Sequence, residues 1–176
     1  MPEPVDPKPR KPMLAINPIA SEANSFTGRF SASLDRSRFQ VVPWQRTETG
    51  RGRYEIVLFH WPNSFFGPVK ADEVKILARM LLDKIRRGTK YVWVVHNIRP
   101  HDRGDHRVTL TGRLFLRLLD GVILLSENSR QLLLSAYPAL AGVRSLVTVH
   151  GRYEDAHGPP QPSRAGEGHN RLLFSG

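Results

Sequence analysis

The chain of 176 residues is long enough for one domain that buries roughly 70% of its unfolded surface, so it requires no metal or disulfide staple. It contains no cysteine, which excludes structural disulfides, thiolate zinc sites and a cysteine nucleophile together. Its formal charge of +10, from 26 Lys and Arg against 16 Asp and Glu, favours anionic partners such as phosphates, nucleic acid or an anionic lipid surface.

Residues 1–12 are rich in Pro and Lys, lack an apolar leader-like core and read as a disordered tail. Strands are expected over Met13–Ile16, Phe39–Val42, Tyr54–Phe59, Tyr91–Val95, Gly121–Leu125 and Leu146–Val149. Ser25 to Leu34 is the expected first crossover helix, although Gly28 and three serines weaken its propensity. Between the third and fourth strands, Val74, Leu77, Ala78, Leu81, Leu82 and Ile85 follow the 3.6-residue period. They predict a helix that lays this stripe on the sheet and stops at Gly88. Leu110, Leu114, Phe115 and Leu118 repeat the pattern. Ser126 is placed to cap a further helix carrying Leu132, Leu133 and Ala136 and ending near Pro138. This alternation predicts an α/β fold, a doubly wound, mostly parallel Rossmann-like sheet over residues 13–155. Residues 156–170 read as a linker, and 171–176 as the start of a second domain or as a strand added to the edge of the first sheet. No apolar run approaches the ~20 residues of a membrane span, and the chain reads as cytoplasmic.

Three of the apolar runs stop at a histidine, namely His60, His96 and His150. Apolar runs of this kind fit strands buried on both faces, and polar residues just past their carboxyl ends sit where an open α/β sheet holds ligands. The three histidines are therefore expected to share one rim and to gather Trp61, Asn63, Asn97, His101, Asp102, Arg152 and Tyr153 around a crevice. Imidazoles and the Asn97 amide suit sugar hydroxyls, and Trp61 or Tyr153 offers an apolar face to a pyranose ring. The alternative for each histidine is a structural hydrogen bond to a nearby carbonyl. Ser126 and Glu127 open a helix whose free amides suit a phosphate, although simple capping accounts for the same residues. Arg99, Arg103 and Arg152 are candidate anion forks, or ordinary solvated arginines.

His101-Asp102-Arg103-Gly104-Asp105-His106 approaches the dinuclear metal motif of metallo-β-lactamase-like hydrolases. However, Arg103 stands at a ligand position and a cation cannot replace an imidazole on zinc, so no metal is expected. No P-loop and no GxGxxG follows a strand. The positive charges are spread along the chain, which argues against a nucleic-acid partner.

Taken together, Val92 to Asp102, Asp120 to Glu127 and Val149 to Tyr153 resemble the N-terminal half of GT-B glycosyltransferases, in particular bacterial family-4-like enzymes of exopolysaccharide assembly. The likeness spans roughly residues 13–153 and rests on a strand ending in His-Asn, a following Pro-His-acid and a late strand ending in His-Gly-x-Tyr. It implies an acceptor-binding domain, with the nucleotide-sugar donor, a substrate and not a resident cofactor, held mainly by a second domain. It also implies that His96 approaches the donor sugar, with His101 and Asp102 as further catalytic candidates, and that the loop around Asn17, Pro18 and Asn24 closes over acceptor and donor phosphates. A glycan or lipid-linked acceptor follows, with peripheral contact between an anionic membrane and the basic stretches Lys84, Arg86 and Arg87 or Arg107, Arg113 and Arg117. The other readings are a non-catalytic sugar- or partner-binding domain, a metal-dependent hydrolase or a basic nucleic-acid binder.

Overall fold

The computed structural model describes residues 10–21, 25–96 and 108–148. Six strands form one all-parallel sheet: β1 (Met13–Asn17), β2 (Gln40–Pro43), β3 (Ile56–Phe59), β4 (Lys90–Val95), β5 (Gly121–Leu124) and β6 (Arg144–Val147). Their order across the sheet is β2-β1-β3-β4-β5-β6. The helices are α1 (Ser25–Ser33), α2 (Asn63–Phe66), α3 (Ala71–Arg87), α4 (Leu110–Leu118) and α5 (Glu127–Ala136). The protein is thus a doubly wound α/β fold of the Rossmann type.

Side chains alternate across a strand, so Leu58 and Phe59 enter different cores. Phe59, Tyr91, Trp93, Phe115, Leu124 and Leu133 build the larger core, beneath α3, α4 and α5. Leu14, Ile16 and Leu58 form a smaller one, closed by Phe30 and Leu34 of the α1 segment. α3 carries Asp72 and Glu73 in its first turn and Lys84, Arg86 and Arg87 in its last, matching its dipole at both ends. It stops at Gly88, whose φ of 71° is the left-handed conformation that glycine adopts without cost and whose N–H donates to the Lys84 carbonyl.

Three expectations are corrected. The apolar stripe assigned to the sheet on α3 faces largely outward: Val74, Ala78, Leu81 and Ile85 are exposed, while Glu73, Ile76, Leu77, Met80 and Asp83 are buried. Polar partners cause the rotation. Asp83 accepts hydrogen bonds from the Gly50 and Gly52 N–H groups at 2.6 and 2.8 Å, and Glu73 pairs with Arg46 at 2.9 Å. Both carboxylates can therefore enter the interior at positions that a hydrophobic count assigns to solvent. The last strand starts at Arg144, two residues before the expected Leu146, and ends at Val147. All four of its residues are exposed, because it is the sheet's edge and not a doubly covered centre. At the other end of the chain, Lys11 and Pro12, expected within the disordered tail, are engaged. The Lys11 ammonium donates to the Arg36 carbonyl and the Pro12 carbonyl accepts from Gln40 N–H. Residues 1–9, the linker 156–170 and the terminal segment 171–176 lie outside the described residues.

Candidate functional site

The strand order places a reversal between β1 and β3. From β1 the chain crosses outward to β2, then returns past β1 to β3 and proceeds the other way. At such a point the connections part and leave a crevice beyond the carboxyl ends of the two strands. Asn17 ends β1 and His60 follows β3, and the His60 N–H donates to the Asn17 carbonyl at 2.8 Å. The main chain therefore ties the two strand ends together and fixes where the His60 ring lies.

The ring of His60 meets that of His96, which follows the adjacent β4, with Nδ1 of His60 2.9 Å from Nε2 of His96. Two of the three histidines expected on one rim are thus hydrogen-bonded to each other, while His150 lies outside the described residues. Aromatic rings enclose the pair. Phe26 stands edge-on to His96 at 4.6 Å between centroids and Phe30 edge-on to His60 at 5.0 Å. The half-buried Trp61 lies 5.2 Å from His96.

His60 is 1% exposed, and burial, aided by the proximity of His96, pushes its imidazole down to about 4. It is neutral at physiological pH, so one proton is shared along the bond between the rings. Its Nε2 is buried without a hydrogen-bond partner. An unpaired buried acceptor is better tolerated than an unpaired N–H, which assigns the His60 proton to Nδ1, donating to His96 Nε2. With its Nε2 accepting, His96 carries its ring proton on Nδ1. In this arrangement His60 orients His96 as a hydrogen-bond donor, and the lone pair His96 would need to act as a base is already engaged.

The remaining site residues fall in three groups. Asn17 is half-buried at the crevice through its backbone, and Trp61 joins the pair as expected. Asn63 is exposed at the start of α2, and no hydrogen bond among the described residues joins it to His60 or His96. Ser126 and Glu127 act as structural elements. The Ser126 hydroxyl caps α5 by accepting from Ser129 N–H at 3.0 Å, and Glu127 pairs with Arg130 at 3.1 Å. Asn24, Asn97, Arg99, His101, Asp102, Arg103, His150, Arg152 and Tyr153 lie outside the described residues, as does the 101–106 metal-like motif. Among the described residues no group of three His, Asp or Glu side chains is disposed to hold a metal ion.

Sequence reasoning missed Phe26 and Phe30, although their i, i+4 spacing was a legible sign of one helix face. It also missed two buried atoms without hydrogen-bond partners, Trp44 Nε1 just after β2 and Glu73 Oε2 in the first turn of α3. Comparison with protein-family models, with curated proteins and with solved structures finds no match to this chain.

Proposed function

We propose that this chain is the acceptor-binding half of a GT-B glycosyltransferase, which moves a sugar from a nucleotide-sugar donor to a glycan or lipid-linked acceptor. The observation that carries the reading is the His60–His96 pair, walled by Phe26, Phe30 and Trp61, at the carboxyl edge of a doubly wound parallel sheet. An imidazole donor beside an indole face suits a sugar, whose hydroxyls need polar partners and whose ring carbons need an apolar wall.

In the transfer, the bond from the anomeric carbon to the diphosphate oxygen breaks and a bond from an acceptor hydroxyl oxygen forms. His101 and Asp102 are the groups assigned to take the hydroxyl proton. His96 Nδ1–H is assigned to a sugar or phosphate oxygen that gains charge as the diphosphate departs, where a fixed donor contributes most. His60 is a positioning residue that holds the His96 tautomer.

Saturation-transfer NMR on the chain with oligosaccharides and with nucleotide sugars tests the reading. Glycan contact at the Trp61 indole is expected, with affinity reduced about tenfold or more in His96→Ala through loss of the donor. Transfer of labelled sugar from donor to glycan, assayed with this chain joined to a donor-binding second domain, separates an enzyme from a non-catalytic sugar-binding domain. If neither glycans nor nucleotide sugars contact Trp61, the proposal is wrong.

A further inference from the structure

Between α4 and the turn that follows α5 lies a groove of about 450 Å3. α4 buries Phe115, Leu116 and Leu118, which leaves Arg113 and Arg117, one helical turn apart, exposed on the same side. Opposite them α5 stops, because Pro138 has no N–H with which to continue a helix, and the chain turns through Pro138–Leu140 and drops Leu140 into the core. Tyr137, at this corner, is 8% exposed, and its ring stands 5.8 Å from Phe66 and 6.0 Å from Trp93 between centroids, so the main core holds the floor of the groove in place. Leu116, Tyr137, Pro138 and Ala139 make the lining apolar, and the two arginines stand along one wall.

No carboxylate answers these arginines. Residues 108–119 and 128–148, which include both walls, contain neither Asp nor Glu. Among the described residues, neither the Arg113 nor the Arg117 side chain makes a hydrogen bond or an ion pair. The acids that flank the two segments are already engaged: Asp120 accepts from Lys84, Lys90 and the Tyr91 N–H, and Glu127 pairs with Arg130. A guanidinium presents a rigid fork of N–H donors that fits a carboxylate, whereas the wall beside it offers only apolar contact. The two together select a ligand that has both parts.

We propose that this groove is a ligand site separate from the histidine crevice, for a small aromatic carboxylate. Its carboxylate oxygens accept from Arg113 and Arg117, and its ring lies against Leu116, Tyr137 and Pro138. The volume of the groove falls within the ~300–1,000 Å3 range of small-molecule sites. An apolar body alone would leave both arginines unanswered, and a bare inorganic anion would leave the wall to water. The inference does not depend on the sugar reading, because it uses none of the residues of the histidine crevice.

Isothermal titration of the full chain with naphthoate, its neutral amide and acetate tests it. Naphthoate is expected to bind with one-to-one stoichiometry. The amide, which lacks the charge, and acetate, which lacks the rings, should each bind more weakly by about tenfold or more. Arg113→Gln with Arg117→Gln should weaken naphthoate binding about tenfold or more through loss of hydrogen bonds to the charged group. Ala139→Trp, at an exposed position of the turn, should abolish binding by filling the groove. Arg36→Gln with Arg38→Gln, which removes equal charge near the opposite edge of the sheet, should change affinity by less than about twofold. Each of four results overturns the proposal: no binding of naphthoate, equal affinity for the amide or for acetate, indifference to both groove variants, or an equal loss in the Arg36 and Arg38 control.

Discussion

The two ends of the same sheet are built to opposite rules. At the amino end, Asp120 accepts from Lys84, Lys90 and the Tyr91 N–H, Glu55 accepts from the Met13 N–H, and the Thr89 hydroxyl donates to the Tyr54 carbonyl. At the carboxyl end, two imidazoles share one hydrogen bond and a buried ring nitrogen has no partner. Polar groups that are fully paired hold a fold together, whereas a buried group left short of partners is a cost that stability alone does not explain. The contrast marks the amino end as paired for folding and the carboxyl end as the edge that the proposed sugar site would use.

The sharpest way to break that contrast is at Asp120. Replacing it with Ala should cost about 2 to 3 kcal/mol in denaturant unfolding, because Lys84 and the Tyr91 N–H lose a charged acceptor in a half-buried setting. His60→Leu, although His60 is more deeply buried, should change stability at neutral pH by less than about 1 kcal/mol, since it also removes an unpaired polar atom. If His60→Leu unfolds the protein and Asp120→Ala does not, the division of labour is reversed.

Acid separates the two ends further. The pKa of His60 is about 4 in the fold and near 6.5 unfolded. Between these values the unfolded chain holds one proton more than the native state. Stability should therefore fall as pH drops through that window, with a contribution of about 1.4 kcal/mol per unit, and His60→Leu should flatten the slope. Asp120 acts lower down. Burial raises its carboxyl, but the hydrogen bond from Lys84, with those of Tyr91 N–H and Lys90 and the Lys84 charge, outweighs this and holds it below the ordinary value of 3.8. Its contribution is complete above the unfolded pKa and is lost only as pH falls below about 4. Unfolding midpoints measured from pH 7 to pH 3 should resolve the two windows.

The smallest expected effect lies at Ser126, on the carboxyl edge but outside the crevice. Ser126→Ala should cost about 1 kcal/mol of stability through loss of the α5 cap, with no change in glycan binding. Altered binding in that variant would extend the site along the edge to β5.

The sequence was most legible where one rule acted alone. The central strands β3 and β4 are apolar on both faces, so a continuous run announced them, and the histidines just beyond were placed correctly on the carboxyl edge. α3 misled because it carries two apolar stripes, and the buried one includes Glu73 and Asp83, whose partners come from a distant loop. β6 reads as a buried run in sequence, yet lateral position in a sheet is set by topology and not by composition. The pairing of His60 with His96 was also out of reach, since it joins residues 36 positions apart on neighbouring strands.

The bond between His60 and Asn17 is made entirely by the main chain. Either side chain can therefore be exchanged without unseating the two strand ends, so the location of the hollow is independent of the reagents displayed there. A designer, or evolution, could install a different pair of groups at 60 and 96 and inherit the same mounting.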